Sequence, residues 1–195
     1  VYNHCVQSLR KMSRPPRWVM FLDGDEFLVF RNQSKYTHVT EFLTDHLQEG
    51  ALQLNWLVFG TANQTKYSPE PVTKRFQYRR ELPDTNTKTV AILDHIQSMQ
   101  VHYAFLQNST RRVGMGGRKV GMGGALAHVQ NGDVSEAAIY HFLYKSEEEF
   151  HNKRCVRGNI NEPPIWCGQK TEVGEVFDDT AWQTLLRNVP EYAKK

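Results

Sequence analysis

The chain has little that would point to a membrane or to a nucleic acid. No uninterrupted apolar run among its 195 residues is long enough to span a bilayer. Its 24 basic and 21 acidic side chains leave a formal charge of only +3, which favours neither a nucleic-acid-binding nor a membrane-surface protein. With 39% hydrophobic and 23% charged residues, the composition is that of a folded globular domain rather than a disordered segment.

Cysteine is also scarce. Cys5, Cys155 and Cys167 are not spaced with histidines as they are in zinc-binding modules. Cys155 and Cys167 flank a short loop rich in Asn and Pro, and they can form a disulfide if the protein lies in an oxidising compartment. Three free thiols are the alternative.

The most informative segment is an apolar run that ends in two aspartates. Residues 18–22 are all apolar and predict a buried strand of an α/β sheet. Asp23-Gly24-Asp25 follows directly, and ligand sites of such sheets lie at the carboxyl ends of strands. Mg²⁺ and Mn²⁺ prefer oxygen ligands and accept substrate phosphates in their remaining positions. The segment therefore predicts a metal–phosphate site.

The two aspartates have three other interpretations. A polar turn is a common use of Asp and Gly, but the apolar runs on both sides favour partial burial, where carboxylates need partners. An EF-hand loop is excluded because Phe27 stands where another oxygen ligand is required. The segment also resembles haloacid dehalogenase-type phosphatases, with Asp23 as nucleophile and Asp25 as acid–base group, although Glu26-Phe27 departs from that family's usual continuation. This phosphohydrolase alternative stays open.

The pattern that runs from Trp18 through Asp23-Gly24-Asp25-Glu26-Phe27 resembles glycosyltransferase family 92 and related family-2-like enzymes. Later segments resemble the same family in the expected order. They are Leu54-Asn55-Trp56-Leu57-Val58-Phe59-Gly60-Thr61, Val72-Thr73-Lys74-Arg75-Phe76, Lys88-Thr89-Val90, Val101-His102, and the region 140–158 with its His-x-x-x-Lys-Ser, Glu-Glu-Phe and Arg-Gly elements. Each motif is weak alone, but the ordered series covers most of the chain.

The resemblance implies a GT-A-like fold, an α/β, Rossmann-related mixed sheet flanked by helices, in a single domain covering residues 1–195. The chain begins within what resembles a family helix that follows the first βα units, so we expect those units and much of the nucleoside pocket to lie outside this sequence. The resemblance also implies the Golgi or another secretory-pathway lumen, with a type II membrane anchor outside the sequence. Sequences that accept N-glycosylation agree with this, and they begin at Asn32, Asn63 and Asn108.

The function that the resemblance implies is metal-dependent transfer of a sugar, with galactose as a candidate, from a UDP-linked donor to a glycan acceptor with inversion. Mn²⁺ or Mg²⁺ would neutralise the leaving diphosphate. A non-catalytic, glycan-binding remnant without the nucleotide pocket is a further alternative.

Asp23 and Asp25 are expected to bind the cation and the donor, with Asp25 as the more direct ligand. His102 and His141 match histidines of the family motifs, and either could complete the coordination of the metal. The alternative for each histidine is a hydrogen-bonded position in the core.

Basic and aromatic residues complete the predicted site. Lys88, Lys145 and Arg157 could bind the donor diphosphate, the arginine by a bidentate contact. Trp56 and Gly60 are expected to line a sugar site, although a tryptophan in an apolar strand is more often part of the core. An inverting transferase also needs a carboxylate base, and the sequence does not choose among Glu26, Glu70, Asp84 and Asp94.

A glycine-rich basic segment at residues 111–124 contains Val-Gly-Met-Gly-Gly twice. It lacks the strand-to-helix context and the Gly-Lys-Ser/Thr of a P-loop. A surface loop is the simpler interpretation, and a flap that covers the donor diphosphate is the more specific one.

Periodicity and capping signals predict the secondary structure. Helices are expected at residues 2–12, 40–47, 146–156 and 179–188, and strands at 18–22, 52–59, 72–79, 88–93 and 137–144. Thr40 is a possible N-cap, and Ser146 with Glu149 has the spacing of a capping box.

Overall fold

A computed structural model describes residues 1–107, 110–123, 126–158 and 167–194. The chain divides into two compact units. The first consists of Val1–Trp56 and Pro83–Ile139, and the second of Leu57–Leu82 and Tyr140–Lys195. Within the described ranges, no helix is both long and apolar enough to cross a membrane.

The secondary structure is a mixture of α and β elements. The strands are β1 (Trp18–Met20), β2 (Glu26–Phe30), β3 (Ala51–Val58), β4 (Tyr78–Arg79), β5 (Thr87–Ile92), β6 (Ile96–Met99), β7 (Ala104–Leu106), β8 (Arg112–Gly114), β9 (Gly121–Gly123), β10 (Leu126–His128), β11 (Ala137–His141) and β12 (Val176–Phe177). The α-helices are α1 (Tyr2–Arg10), α2 (Val39–His46), α3 (Val72–Arg75), α4 (Glu147–His151) and α5 (Thr180–Asn188).

The main sheet has the strand order β1-β5-β3-β11-β2, and β8 adds to β3. β5 runs antiparallel to both β1 and β3, whereas β8 runs parallel to β3, so the sheet is mixed. Its register is fixed by apolar pairs such as Leu52 opposite Val90, because a shift by one residue would turn these side chains to the other face. The structure thus agrees with the predicted α/β class with a mixed sheet.

Two apolar clusters form the core of the first unit. One joins Phe42 and Leu43 of α2 to sheet residues such as Leu54 and Val90. The other joins Val6 of α1 to residues of β1, β5 and β6. Burial of each Leu, Val or Phe side chain contributes about 1.5–3 kcal/mol, so these helices are held mainly by the apolar residues that they bury.

The start of α2 differs from its prediction. The helix begins at Val39, and His38 is its N-cap, so the assignment of Thr40 as the cap was wrong. Glu41 takes over the capping, because its Oε2 accepts hydrogen bonds from the backbone N–H groups of Thr37 and His38 at 3.2 and 3.1 Å. These hydrogen bonds lower the pKa of the Glu41 carboxyl.

The second unit has an aromatic core. The ring centroid of Phe59 lies 4.9 Å from that of Tyr140 and 4.7 Å from that of Phe142. Beside these rings, Arg79 Nε donates to Oδ2 of Asp178 at 2.7 Å, and the hydroxyl of Tyr140 donates to the same carboxylate at 3.0 Å. The arginine and aspartate side chains are 10% and 4% exposed, so this is a buried ion pair.

The predicted strand at residues 72–79 was wrong. Residues Val72–Arg75 form α3, and only Tyr78–Arg79 is a strand. Val72 and Thr73 are β-branched residues, which are common in strands, but β-propensity depends strongly on context. The helical turn is stabilised by tertiary contacts of Arg75, whose Nη2 donates to Glu149 at 2.6 Å and whose carbonyl accepts from the Gln64 amide.

The predicted capping box of α4 is confirmed. The backbone N–H of Glu149 donates to Ser146 Oγ at 3.3 Å, and the backbone N–H of Ser146 donates to Glu149 Oε2 at 3.2 Å. The α-helix is shorter than the predicted span of 146–156, because it ends at His151 and passes into a π-helix at Asn152–Arg157.

Cys155 and Cys167 form a disulfide, as the sequence suggested, and Cys5 is a free thiol. A bridge across a sequence separation of 12 should stabilise the protein by about 3 kcal/mol, because it restricts the unfolded chain. We expect a reductant to lower the thermal midpoint of the parent protein but not that of a Cys155→Ser/Cys167→Ser variant. Equal sensitivity of both proteins would contradict this prediction.

Candidate functional site

The turn Asp23-Gly24-Asp25 connects β1 to β2. The strand before it ends at Met20, two residues earlier than predicted. The backbone N–H of Glu26 donates to the carbonyl of Asp23 at 3.0 Å and closes the turn. The side chain of Asp23 is 51% exposed, whereas Asp25 is buried at 8% exposure. One aspartate is therefore open to a ligand from solvent, and the other lies mostly in the protein interior.

A buried lysine binds this turn. Nζ of Lys88, on β5, lies 2.8 Å from Oδ2 of Asp23 and 3.0 Å from Oε2 of Glu26. The side chains of Lys88 and Glu26 are 1% and 0% exposed. The sequence did not predict this pairing, although a Lys and a Glu within apolar strand patterns are a signal that each needs a partner.

Glu26 is enclosed rather than open to a substrate. Burial raises the pKa of its carboxyl, while the backbone N–H of Asp23 and the ammonium group of Lys88 act to lower it. Its Oε2 accepts from both of these donors. This enclosure argues against Glu26 as the carboxylate base that deprotonates an acceptor hydroxyl.

His102 lies beside Trp56, with 5.5 Å between the ring centroids. Burial, reinforced by the positive charge of Lys88, lowers the pKa of His102 to about 4, so the imidazole is neutral near pH 7. Its Nδ1 is buried and finds no hydrogen-bond partner among the residues that the structure describes. A neutral imidazole nitrogen of this kind can act as a metal ligand.

An internal hydrogen-bond network fixes the backbone at His102. Thr89 Oγ1 donates to the carbonyl of His102 at 2.7 Å. Gln53 Nε2 in turn donates to Thr89 Oγ1, and Thr87 Oγ1 donates to Gln53 Oε1 at 2.8 Å. These side chains of β3 and β5 are fully buried, so the network supports the histidine from within the first unit.

The residue types of the turn are those that a divalent cation uses as ligands. In the described part of the chain, no three His, Cys, Asp or Glu side chains are grouped as a complete metal site. Mg²⁺ commonly uses only one or two protein carboxylates, with waters and substrate phosphates as its other ligands. Asp23 offers one such carboxylate to solvent, whereas coordination by the buried Asp25 and by the unpartnered nitrogen of His102 stays a prediction.

Trp56 belongs to the first unit and is partly buried. It packs against the apolar cluster that contains Phe42 and Val90, and its backbone N–H donates to the carbonyl of Asn86 at 3.1 Å. Stacking of this ring on a sugar stays a prediction.

The remaining predicted site residues belong to the second unit. His141 is buried at the end of β11, and its carbonyl accepts from the N–H of Phe59 at 2.9 Å. A Cβ at Gly60 would overlap the carbonyl group of Val173, so close packing accounts for this glycine. Lys145 is partly exposed at a φ of 55°, and Arg157 is exposed. Their roles in donor or metal binding stay predictions.

The other candidate bases differ in their surroundings. Glu70 is exposed and binds Lys74, and Asp94 is exposed in a short 3₁₀ turn. Asp84 is partly buried, and its Oδ1 accepts from the backbone N–H of Asn86 at 2.9 Å. None of these contacts selects a base.

The glycine-rich segment forms β8, a 3₁₀ turn at Met115–Gly117, and the β9–β10 pair. Arg112 is engaged internally, because its guanidinium donates to the carbonyl of Ala104. Arg118 and Lys119 are exposed. The last glycine of the repeat, Gly124, lies outside the described residues, as do Asn108 and Ser109 of the third glycosylation sequence. The proposed flap stays a prediction.

A cavity of about 430 Å³ opens in the second unit, beside the disulfide. Its lining consists of Glu147, Phe150, His151, Cys155, Gly168, Gln169, Lys170 and Thr171. None of these is a predicted site residue.

Comparison with known proteins agrees with the motif series. The model of glycosyltransferase family 92 matches residues 1–190, whereas no individual curated protein matches the chain. The match supports neither the phosphohydrolase alternative nor a non-catalytic remnant. It covers almost the whole chain, including the aspartate turn and the later motifs that resemble the family. The chain belongs to glycosyltransferase family 92 and is a glycosyltransferase.

Proposed function

We propose that this glycosyltransferase transfers a sugar from a UDP-linked donor to a glycan acceptor, and that Asp23 and Asp25 bind a divalent cation that holds the donor diphosphate. The observation that carries the proposal is the aspartate turn itself. It follows β1, exposes half of the Asp23 side chain, and is bound from within by a buried ammonium group. The Asp23 carboxylate is thus presented to solvent on a rigid support, with Asp25 two residues further along the same turn.

The role proposed for the cation follows from the negative charge of the leaving diphosphate. Mn²⁺ or Mg²⁺, when bound, would supply Lewis-acid stabilisation of the leaving diphosphate. Asp23 and Asp25 would hold the cation through carboxylate oxygens, and His102 would offer a neutral nitrogen. The mixed sheet and the Asp-x-Asp position support a GT-A-like arrangement, and inversion and galactose remain part of the proposal.

We also propose a secretory-pathway location for the whole protein, with the Golgi as the expected compartment. The disulfide between Cys155 and Cys167 supports an oxidising environment. Asn63, in a glycosylation sequence, is exposed and therefore accessible to modification.

Calorimetric titration with UDP tests the proposal. We expect binding in Mn²⁺ and little binding in EDTA, because Asp23 and Asp25 would hold the cation and the cation would neutralise the diphosphate. Asp25→Asn, which keeps the side-chain shape, should weaken Mn²⁺-dependent binding by roughly 100-fold, since the charge and number of ligands set cation affinity.

The matched control is Asp45→Asn, which changes another aspartate of the first unit whose Oδ2 accepts from the Tyr36 hydroxyl. This variant should bind UDP as the parent does. UDP binding that is equal in Mn²⁺ and EDTA, or that is unaffected by Asp25→Asn, would contradict the proposed donor site.

A further inference from the structure

The ammonium group of Lys88 lies in the interior of the first unit. Its side chain is 1% exposed, and two carboxylates surround Nζ at 2.8 Å (Asp23) and 3.0 Å (Glu26). Burial removes the hydration of an ammonium group, so it is stable there only with such partners. The position of Nζ is therefore fixed by both carboxylates at once.

Glu26 ties the lysine to the backbone of the turn. The same oxygen that contacts Lys88, Oε2, accepts a hydrogen bond from the N–H of Asp23 at 3.0 Å. The N–H of Glu26 donates to the carbonyl of Asp23, also at 3.0 Å. Lys88 and Glu26 thus constrain Asp23 at two points, its side-chain carboxylate and its backbone N–H.

Asp23 and Lys88 differ in their access to solvent. Asp23 has one oxygen bound to Lys88, while its side chain as a whole is 51% exposed. A cation from solvent can therefore approach this carboxylate. A phosphate group has no comparable access to Nζ, because the lysine side chain is enclosed.

We propose that Lys88 and Glu26 are positioning residues, which hold the Asp23 carboxylate in the orientation that receives the donor-bound cation, and that Lys88 does not itself contact the diphosphate. This inference rests on the proposed function and changes the role expected for Lys88 from its motif. Partners of metal ligands act in this way when they restrict the ligand to one orientation.

The test variant must not leave a buried charge behind. Lys88→Met alone would leave Glu26 without its ammonium partner and could prevent folding. Lys88→Met/Glu26→Gln removes both charges and keeps side chains of similar size. Circular dichroism and thermal unfolding would establish that this double variant folds before any binding is measured.

The decisive experiment is a thermodynamic cycle with Asp23→Asn. UDP binding in Mn²⁺ should weaken by about 10- to 100-fold in the Lys88→Met/Glu26→Gln variant. In the Asp23→Asn background the same two substitutions should weaken it less than about twofold, because residues that act through one group are not additive. In EDTA, Lys88→Met/Glu26→Gln should leave residual UDP binding unchanged.

Other outcomes have separate meanings. Losses that add independently of Asp23, or losses of equal size in Mn²⁺ and EDTA, would overturn the positioning role and indicate a direct phosphate contact or a general structural effect. Absence of Mn²⁺-dependent UDP binding in the unaltered protein would overturn the proposed function itself.

Hydrogen exchange gives a second readout, which does not depend on UDP binding or on activity. Hydrogen exchange at the amides of Asp23 and Glu26 should quicken in the double variant, while the amides of β3 stay protected. The matched control is Lys35→Met/Glu136→Gln, which removes another Lys–Glu pair of the first unit, with 2.7 Å between Nζ and Oε1. It should change neither the exchange of the turn nor UDP binding, and unchanged exchange in the test variant would overturn the proposal.

Discussion

Replacement of Glu26 by leucine alone should lower the free energy of unfolding by about 3 to 5 kcal/mol. The substitution removes the buried carboxylate that contacts Lys88, whose side chain is 1% exposed. Asp23 would be the carboxylate left beside this ammonium group, and it is half exposed to water. The Glu26→Leu substitution would also remove the carboxylate that accepts a hydrogen bond from the Asp23 N–H. Denaturant-induced unfolding at equilibrium measures the loss.

The control for this prediction is Lys88→Met/Glu26→Leu, which removes both charges. It should be more stable than Glu26→Leu, because apolar replacement of the whole buried pair leaves no buried ammonium group with only a half-exposed carboxylate beside it. Glu136→Leu, at a more exposed ion pair with Lys35, should lower stability far less. A Glu26→Leu variant as stable as Glu136→Leu would show that the buried pair is not required for folding.

Replacement of Asp178 by alanine should have an effect of similar size in the second unit, about 3 to 5 kcal/mol. The carboxylate accepts from Arg79 Nε at 2.7 Å and from the Tyr140 hydroxyl at 3.0 Å. It also accepts from the backbone N–H of Thr180 at the start of α5. The substitution would leave the Arg79 guanidinium buried without this counter-charge, and chemical denaturation measures the cost.

Tyr140→Phe provides the comparison for Asp178→Ala. It removes the hydroxyl but leaves the Arg79–Asp178 pair intact, so it should cost about 1.5–3 kcal/mol, the usual range for a hydrogen bond to a charged group. Equal losses for Tyr140→Phe and Asp178→Ala would contradict the view that the unpaired arginine dominates.

Local signals in the sequence were sufficient for several elements. Ser146 and Glu149 are three residues apart and cap α4 by contacts within one turn. The apolar run at residues 52–59 corresponds closely to β3, Ala51–Val58. The strand predicted at 72–79 failed because the helical turn there depends on contacts of Arg75 with Glu149, 74 residues away. Secondary-structure propensity reflects local sequence and does not include a contact with such a distant residue.

In the candidate site, too, local sequence predicted the position of the turn but not the partner that is distant in sequence. The apolar run before Asp23-Gly24-Asp25 placed the turn directly after a strand, and the structure agrees, whereas β2 after the turn was not among the predicted strands. The partner of Asp23 is Lys88, which is 65 residues away in sequence. Only the antiparallel pairing of β1 with β5 brings these segments together, and the sequence alone does not specify that pairing.

The charges around the turn bear on the sequence of events in a catalytic cycle. Asp23 and Glu26 lie against one ammonium group, that of Lys88, and Asp25 adds a third carboxylate to the turn, so the formal charges of these four side chains sum to −2. A free pyrophosphate group would be repelled by such a site, whereas one divalent cation would neutralise it. The proposed function therefore predicts ordered addition, in which the cation would enter before the donor or together with it and would leave with the nucleotide product.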